Sequence, residues 1–340
     1  MVPLAAAVAA AGVASGELLN FTPYTNAEGL PQHQVLALAQ DARGYIWIGT
    51  YGGLTRYDGH TFVTLTVKDG LSANGVRDIV PAGDGVLWVG TLGGGVCRVV
   101  GGRAERCLRQ ADGLAGDYVN DLEPAEGGGC WVATDGGVSR IRADGTAETP
   151  VGAGWPRARV WAIKRMGERL IACMPDGVAE VAADGLHPLP VPGLHGHVVR
   201  AAASFGGALI VGAEDGLFRV VDGRLERVAV PGLPGGGPFV TDMAAAGDGL
   251  WVATRSGVLR LAADGSVRRL TTANGLLSDI VHRVLVDREG DLWFGTDDGA
   301  SKLVPGPISV WTRRDGLPHP FVRAIAVDRR GRMWFGTRDG

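Results

Sequence analysis

The sequence predicts an all-β chain: a seven-bladed β-propeller of four-stranded blades, followed by the start of a second propeller. Three observations carry that expectation. A tryptophan phrase of the form Leu/Ile/Cys/Met-Trp-Val/Ile/Phe-Gly/Ala-Thr recurs at Trp47, Trp88, Trp131, Trp251, Trp293 and Trp334. Degenerate copies at Ile171 and Ile210 fill the gap, so the period runs from 39 to 43 residues. Apolar runs last five or six residues and end in turn residues, which suits short strands and not amphipathic helices. Glycine contributes 55 of 340 residues, more than twice the usual share of roughly 7%, as many tight turns require.

The first repeat shows the unit. Strand-like runs lie at Val35–Gln40, Tyr45–Thr50, Gly53–Tyr57 and Thr61–Val67, separated by Asp41–Gly44, Tyr51–Gly52 and Asp58–Gly59. Four strands in about 40 residues make a propeller blade. Blades begin near Val35, Val76, Val119, Val160, Val199, Val240 and Val281. The seventh has strands at Val281–Val286, Leu292–Thr296 and Ala300–Leu303 and needs a fourth. Both Ile308–Thr312 and the N-terminal Phe21–Thr25 fit, and the reading takes the N-terminal segment because it closes the ring and leaves no free edge. The expected domains are 1–17, a signal-peptide-like segment; 18–306, the closed propeller; and 307–340, the opening of a second propeller in a chain expected to continue past Gly340.

Val2–Ala14 is an apolar run ending in small residues, like the core and cleavage site of a secretory signal, although no Lys or Arg precedes it. Export places the chain in an oxidising compartment, the periplasm of a Gram-negative cell. A formal net charge of −3 with 20% charged residues argues against nucleic-acid binding. No later stretch is long and apolar enough to span a membrane as a helix.

The repeats resemble those of the two-component regulator propeller family. The resemblance rests on Gly-Leu entering the first strand, Asp and Gly before the Trp, Gly-Thr after it, and a third-strand signature at Leu54–Arg56, Val96–Arg98 and Val138–Arg140. It implies the periplasmic sensor region of a bacterial hybrid histidine kinase or a GGDEF-type diguanylate cyclase. Such receptors carry two propellers, an immunoglobulin-like module, one membrane span and a cytoplasmic output domain. The functional expectation is therefore an extracytoplasmic ligand-sensing module. The alternative is a stand-alone secreted propeller acting as a polysaccharide lyase or hydrolase, or as a protein-interaction platform.

Candidate chemistry is sparse. Asp41, Asp287 and Asp328 precede Gly-containing turns and are expected to accept local backbone hydrogen bonds. No calcium loop, metalloprotease motif or nucleophile elbow is present, so no cofactor and no metal are expected, even at the loop pair His195 and His197. Asp78, Asp121, Asp242 and Asp279 are the carboxylates an enzyme of this fold would draw on. Cys97 and Cys107 flank the Gly101–Gly102 turn of blade two, where a cross-strand disulfide is geometrically allowed in an exported chain. Cys130 and Cys173 read as buried thiols.

The ligand site is expected at the channel rim. The residue after the first-strand valine is Leu36, Arg77, Asn120, Trp161, Arg200, Thr241 and His282 in successive blades, mostly polar or aromatic among apolar neighbours. Arg77 and Arg200 suit a carboxylate or sulfate, and Trp161 a sugar face or a cation. The expected ligand is a small molecule or oligosaccharide. Membrane contact is expected only through a span beyond Gly340, and a homodimer in the full receptor.

Overall fold

The computed structural model describes residues 18–305, apart from 84, 153, 156 and 234–236, together with 318–319, 321–328 and 333–338. The signal-like segment and the alternative closing strand at 308–312 lie outside the described residues.

Residues 21–305 form seven antiparallel four-stranded sheets. Six are built from consecutive strands. The seventh pairs Val281–Val286, Leu292–Thr296 and Gly299–Leu303 with the N-terminal Phe21–Tyr24, in the register Phe21 to Leu303 and Tyr24 to Ala300. Tyr24 marks the seam. Its ring stacks on Trp293 at 5.0 Å and lies 5.2 Å from Tyr57 of blade one. Separately, Val322–Val327 and Met333–Thr337 form a two-stranded hairpin with the register of a first and second blade strand.

The recurrent phrases have local physical causes. Gly49, Gly90, Gly212 and Gly295 sit where the next blade's first-strand valine presses in. A Cβ there would lie 2.6 Å from Val76, 2.5 Å from Val119, 2.3 Å from Val240 and 2.8 Å from Val35 respectively. The threonine that ends the tryptophan phrase is fully buried and closes the next turn: Thr50, Thr134, Thr254 and Thr296 each donate to the carbonyl of the glycine three residues on. The core therefore lies between blades. One cluster joins Trp47 and Leu54 of blade one to Ile79, Leu87 and Val89 of blade two.

The fourth strand of blade one is shorter than the sequence suggests, Phe62–Leu65, because Thr66 caps a 3₁₀ turn at Val67–Asp69. Thr66 Oγ1 accepts from Lys68 N at 3.2 Å, and Asp69 accepts from Thr66 N at 2.9 Å. Gly70 then takes φ 99° and Leu71 plugs the core. The Asp-Gly-Leu phrase between blades is thus a cap, a left-handed residue and an anchor.

Candidate functional site

The residues singled out at the rim owe their position to a β-bulge. In blades one, two, three, five, six and seven the pairing of first and second strands slips by one residue immediately after the leading valine, as between Val76 and Asp78 or Val281 and Arg283. The unpaired residue is re-aimed. It is Arg77, Asn120, Arg200, Thr241 and His282 in five of these blades. Blade four places Trp161 just before its first strand, Ala162–Met166. These six side chains line one cavity of about 560 Å³, its open mouth included. Leu36, the blade-one equivalent, is buried in the core. Phe239, Arg255 and Lys164 join the lining.

Several of the rim residues are tied to the protein itself. Asn120 donates to Val160 O and Asp135 Oδ1, both at 2.9 Å, and Thr241 donates to Val281 O at 2.6 Å, so both bridge to the next blade. Arg200 donates through Nε to Glu214 Oε1 at 2.8 Å and lies 3.4 Å above the Trp161 ring centroid. Arg159 also lies over that ring, at 4.6 Å. The Trp161 ring thus supports the chain's own guanidinium groups, and the carboxylate beside Arg200 is internal. His282 pairs with Asp297 at 2.6 Å. Burial pulls its pKa below the ordinary value, against the opposing hydrogen bond to Asp297.

Arg77 differs. Among the described residues no hydrogen bond or ion pair holds its guanidinium, which lines the cavity. Burial, reinforced by the charge of Arg283, draws its pKa below the ordinary value. Arg255 packs over Phe239 at 4.0 Å and likewise faces the cavity.

Below the rim lies a second layer. The next position in the repeat carries Asp78, Asp121, Asp242 and Arg283. Arg283 reaches Asp78 at 2.7 Å, Asp121 at 3.2 Å and Asp242 at 3.7 Å. Lys164 adds a contact to Asp121 at 3.1 Å. The same carboxylates accept backbone amides of the following blade: Leu122 N to Asp78 at 2.7 Å, Ile163 N to Asp121 and Val284 N to Asp242, both at 3.0 Å. They knit adjacent blades together. Asp279, the fourth carboxylate considered, accepts from Thr272 N at 2.7 Å and does not line this cavity. Burial pushes the Asp78 carboxyl up to about 7 despite Arg283. Burial would raise Asp121 as well, but Lys164 and Arg283 outweigh it and hold that carboxyl below its ordinary value.

The cysteines and remaining histidines are not part of the cavity lining. Cys97 and Cys107 face each other in the register of blade two and are joined by a disulfide. Cys130 and Cys173 are buried free thiols, and burial raises both pKa values, that of Cys173 to about 12. His195 and His197 turn to different carboxylates, Asp176 and Asp215. Among the described residues no cluster of three or more potential metal ligands occurs.

Sequence reasoning found the rim but missed Phe239, Arg255, Lys164 and Arg283. Arg283 shares the repeat position of Asp78, Asp121 and Asp242, so aligning that one position across blades would have exposed a charged ring.

These features define a seven-bladed propeller with a polar mouth above a buried ion cluster. Residues 29–52, 70–93, 275–298 and 316–339 match the two component regulator propeller family. The chain thus carries four stretches that match regulator-propeller repeats. A stretch of 42 residues is 45% identical to Histidine kinase P4 of Formosa agariphila, over 12% of this chain and 3% of that protein. The fold is similar to the extracellular domain of a hybrid two component system of B. thetaiotaomicron, with TM-score 0.76 and 18% identity over 94% of this chain and 47% of that one. A virginiamycin B lyase from Staphylococcus aureus shares the fold with TM-score 0.66 and 14% identity over 85% of this chain and all of its own. The chain spans about half of the extracellular domain it matches.

Proposed function

We propose that this propeller is the extracytoplasmic ligand-sensing module of a bacterial transmembrane receptor of two-component or cyclic-di-GMP type, and that the mouth binds a small anionic ligand. The observation that carries the binding site is Arg77, a half-buried guanidinium that no hydrogen bond or ion pair holds among the described residues, facing a cavity it shares with Arg255. Its guanidinium donors are not taken by the protein, and a ligand carboxylate or sulfate would fill them by bidentate hydrogen bonds. The regulator-propeller repeats support the signalling context. The region is read as non-catalytic, because Asp78, Asp121 and Asp242 are engaged by backbone amides and Arg283 and so lack a free acid–base role.

The test is titration calorimetry with acidic and neutral sugars on wild type and Arg77→Ala. Charge-assisted hydrogen bonds contribute about 1.5–3 kcal/mol, so the variant should bind an acidic sugar roughly 10- to 100-fold more weakly, with a melting temperature within a few degrees of wild type. Equal affinity in a folded variant rejects the site.

A further inference from the structure

We propose that the mouth takes a phosphate monoester, its doubly charged group shared between Arg77 of blade two and Arg255 of blade six. This rests on the mouth being the anion site described above and goes on to the chemical class that the site selects.

Among the described residues, every cation on the cavity wall but two has a carboxylate partner. Arg200 is bonded to Glu214, Lys164 to Asp121, and Arg283 to Asp78, Asp121 and Asp242, while His282 pairs with Asp297. Arg77 and Arg255 remain. Neither guanidinium has a hydrogen bond or an ion pair among the described residues, and both line the same cavity. The carboxylates of the wall do not meet them: Asp121 and Asp242 are taken by Arg283 and by backbone amides of the next blade.

Arg255 is held ready by its surroundings. It sits on the exposed turn between Gly249–Thr254 and Gly257–Ala262. Its backbone N–H donates to Phe239 O at 3.0 Å, and its guanidinium lies 4.0 Å from the centroid of the Phe239 ring. Stacking fixes the plane of the fork and leaves its N–H edge to a ligand. The cations of the mouth also act on one another. Burial and then neighbouring cations draw Arg77 and Arg200 below the ordinary guanidinium range in spite of Asp78, Asp121 and Glu214. Arg283 and Arg200 act on Arg77, and Arg255 and Arg159 act on Arg200. The charges of Arg77 and Arg255 both reach His282, whose blade stands between theirs on the ring. An anion placed among these groups relieves the repulsion, and two negative charges relieve it more than one.

Two open forks set the acceptor demand. A carboxylate has two oxygens, which a single bidentate guanidinium fills. A phosphate monoester offers three terminal oxygens and a charge near −2 at neutral pH, enough to engage both arginines. The cavity, about 560 Å³ with its open mouth, is in the range of small-ligand sites.

The experiment titrates the full chain by calorimetry with glucose 6-phosphate, glucuronate, glucarate and glucose. It is run near pH 7.5, where the phosphate is doubly ionised, and at physiological ionic strength, which screens loose surface attraction. Glucose 6-phosphate should bind roughly 10- to 100-fold more tightly than glucuronate, the effect of one more charge-assisted contact, and glucose should not bind. Arg255→Gln should bring the phosphate down to the glucuronate level and leave glucuronate unchanged, whereas Arg77→Ala should weaken both. Should Arg255→Gln not fold, the ligand ratios on wild type decide. Equal binding of glucose 6-phosphate and glucuronate, or an unchanged ratio in folded Arg255→Gln, overturns the phosphate assignment and leaves the anion site standing. Glucarate binding as tightly as glucose 6-phosphate also overturns it, because the two arginines then hold separate carboxylates. No binding of any of the three anions removes the anion site and the phosphate assignment with it.

Discussion

Blades one and seven build the turn between their first and second strands differently from blades four, five and six. In blade one Asp41 accepts from Arg43 N and Tyr45 N at 2.9 and 3.1 Å, while its other oxygen takes the Trp47 indole at 2.8 Å. Blade seven repeats the indole bond between Asp287 and Trp293 at 2.8 Å, as does the 322–337 hairpin between Asp328 and Trp334 at 3.2 Å. The later blades use two-residue turns opened by glycine at positive φ: Gly167 at 61°, Gly206 at 57° and Gly247 at 57°. The mouth ends of these hairpins nevertheless pair alike, Val35 with Thr50 and Val199 with Ala213. Packing between blades thus sets the inner end of each hairpin, and the far turn is free to vary. Blade two is intermediate: Trp88 donates across to Gly128 O of blade three at 3.1 Å.

The comparison can be broken first at the seam between blades seven and one. Deleting residues 18–26 removes the fourth strand of blade seven and the Tyr24 ring between Trp293 and Tyr57. Losing one such aromatic alone costs about 3–5 kcal/mol, so thermal denaturation should show a steep fall in melting temperature. An unchanged melt would rule out the closing role of this strand.

A smaller effect separates the two turn designs. Asp287→Ala leaves the indole of Trp293, a residue only 2% exposed, without its partner, and should cost about 1–3 kcal/mol in denaturant melts. Asp248→Ala, in the short turn of blade six, removes an 81% exposed side chain that pairs with Arg260. Such a surface pair contributes about 0–1 kcal/mol, so this variant should melt close to wild type. Similar losses in both variants would abolish the distinction.

A further effect is conformational. Gly206 has φ 57°, and an added Cβ would meet nothing within 4 Å. Gly206→Ala should therefore cost only the left-handed backbone penalty, about 1–2 kcal/mol. A loss above that range would mean that the short turn is packed, contrary to the open space around it.

This contrast also explains what was legible. The long turn writes itself in side chains, as Asp, Gly and Trp at fixed spacing, so blades one and seven are readable one by one. The short turn leaves little beyond a glycine, so blades four and five emerge only from the spacing of Ile171 and Ile210. At the mouth, Arg77, Asn120 and His282 stood out because polar residues interrupt an apolar strand at one repeat position. Phe239, Arg255 and Lys164 occupy other positions of the repeat, and only ring closure brings them to the same cavity.

Sequence by itself determined the blade count, the strand boundaries to within a few residues, and the position in each repeat that supplies the rim. These follow from local rules: turn residues, short apolar runs and the glycine demanded by a close valine. Tertiary structure alone decided which rim residues are already satisfied and which are not. Arg200 finds Glu214, Thr241 finds Val281 O and Arg283 gathers three aspartates from blades two, three and six, while Arg77 faces the cavity without a partner among the described residues. The Arg283 contacts join residues 41 to 205 positions apart, so no local pattern encodes them; they exist because seven repeats close into a ring around one axis.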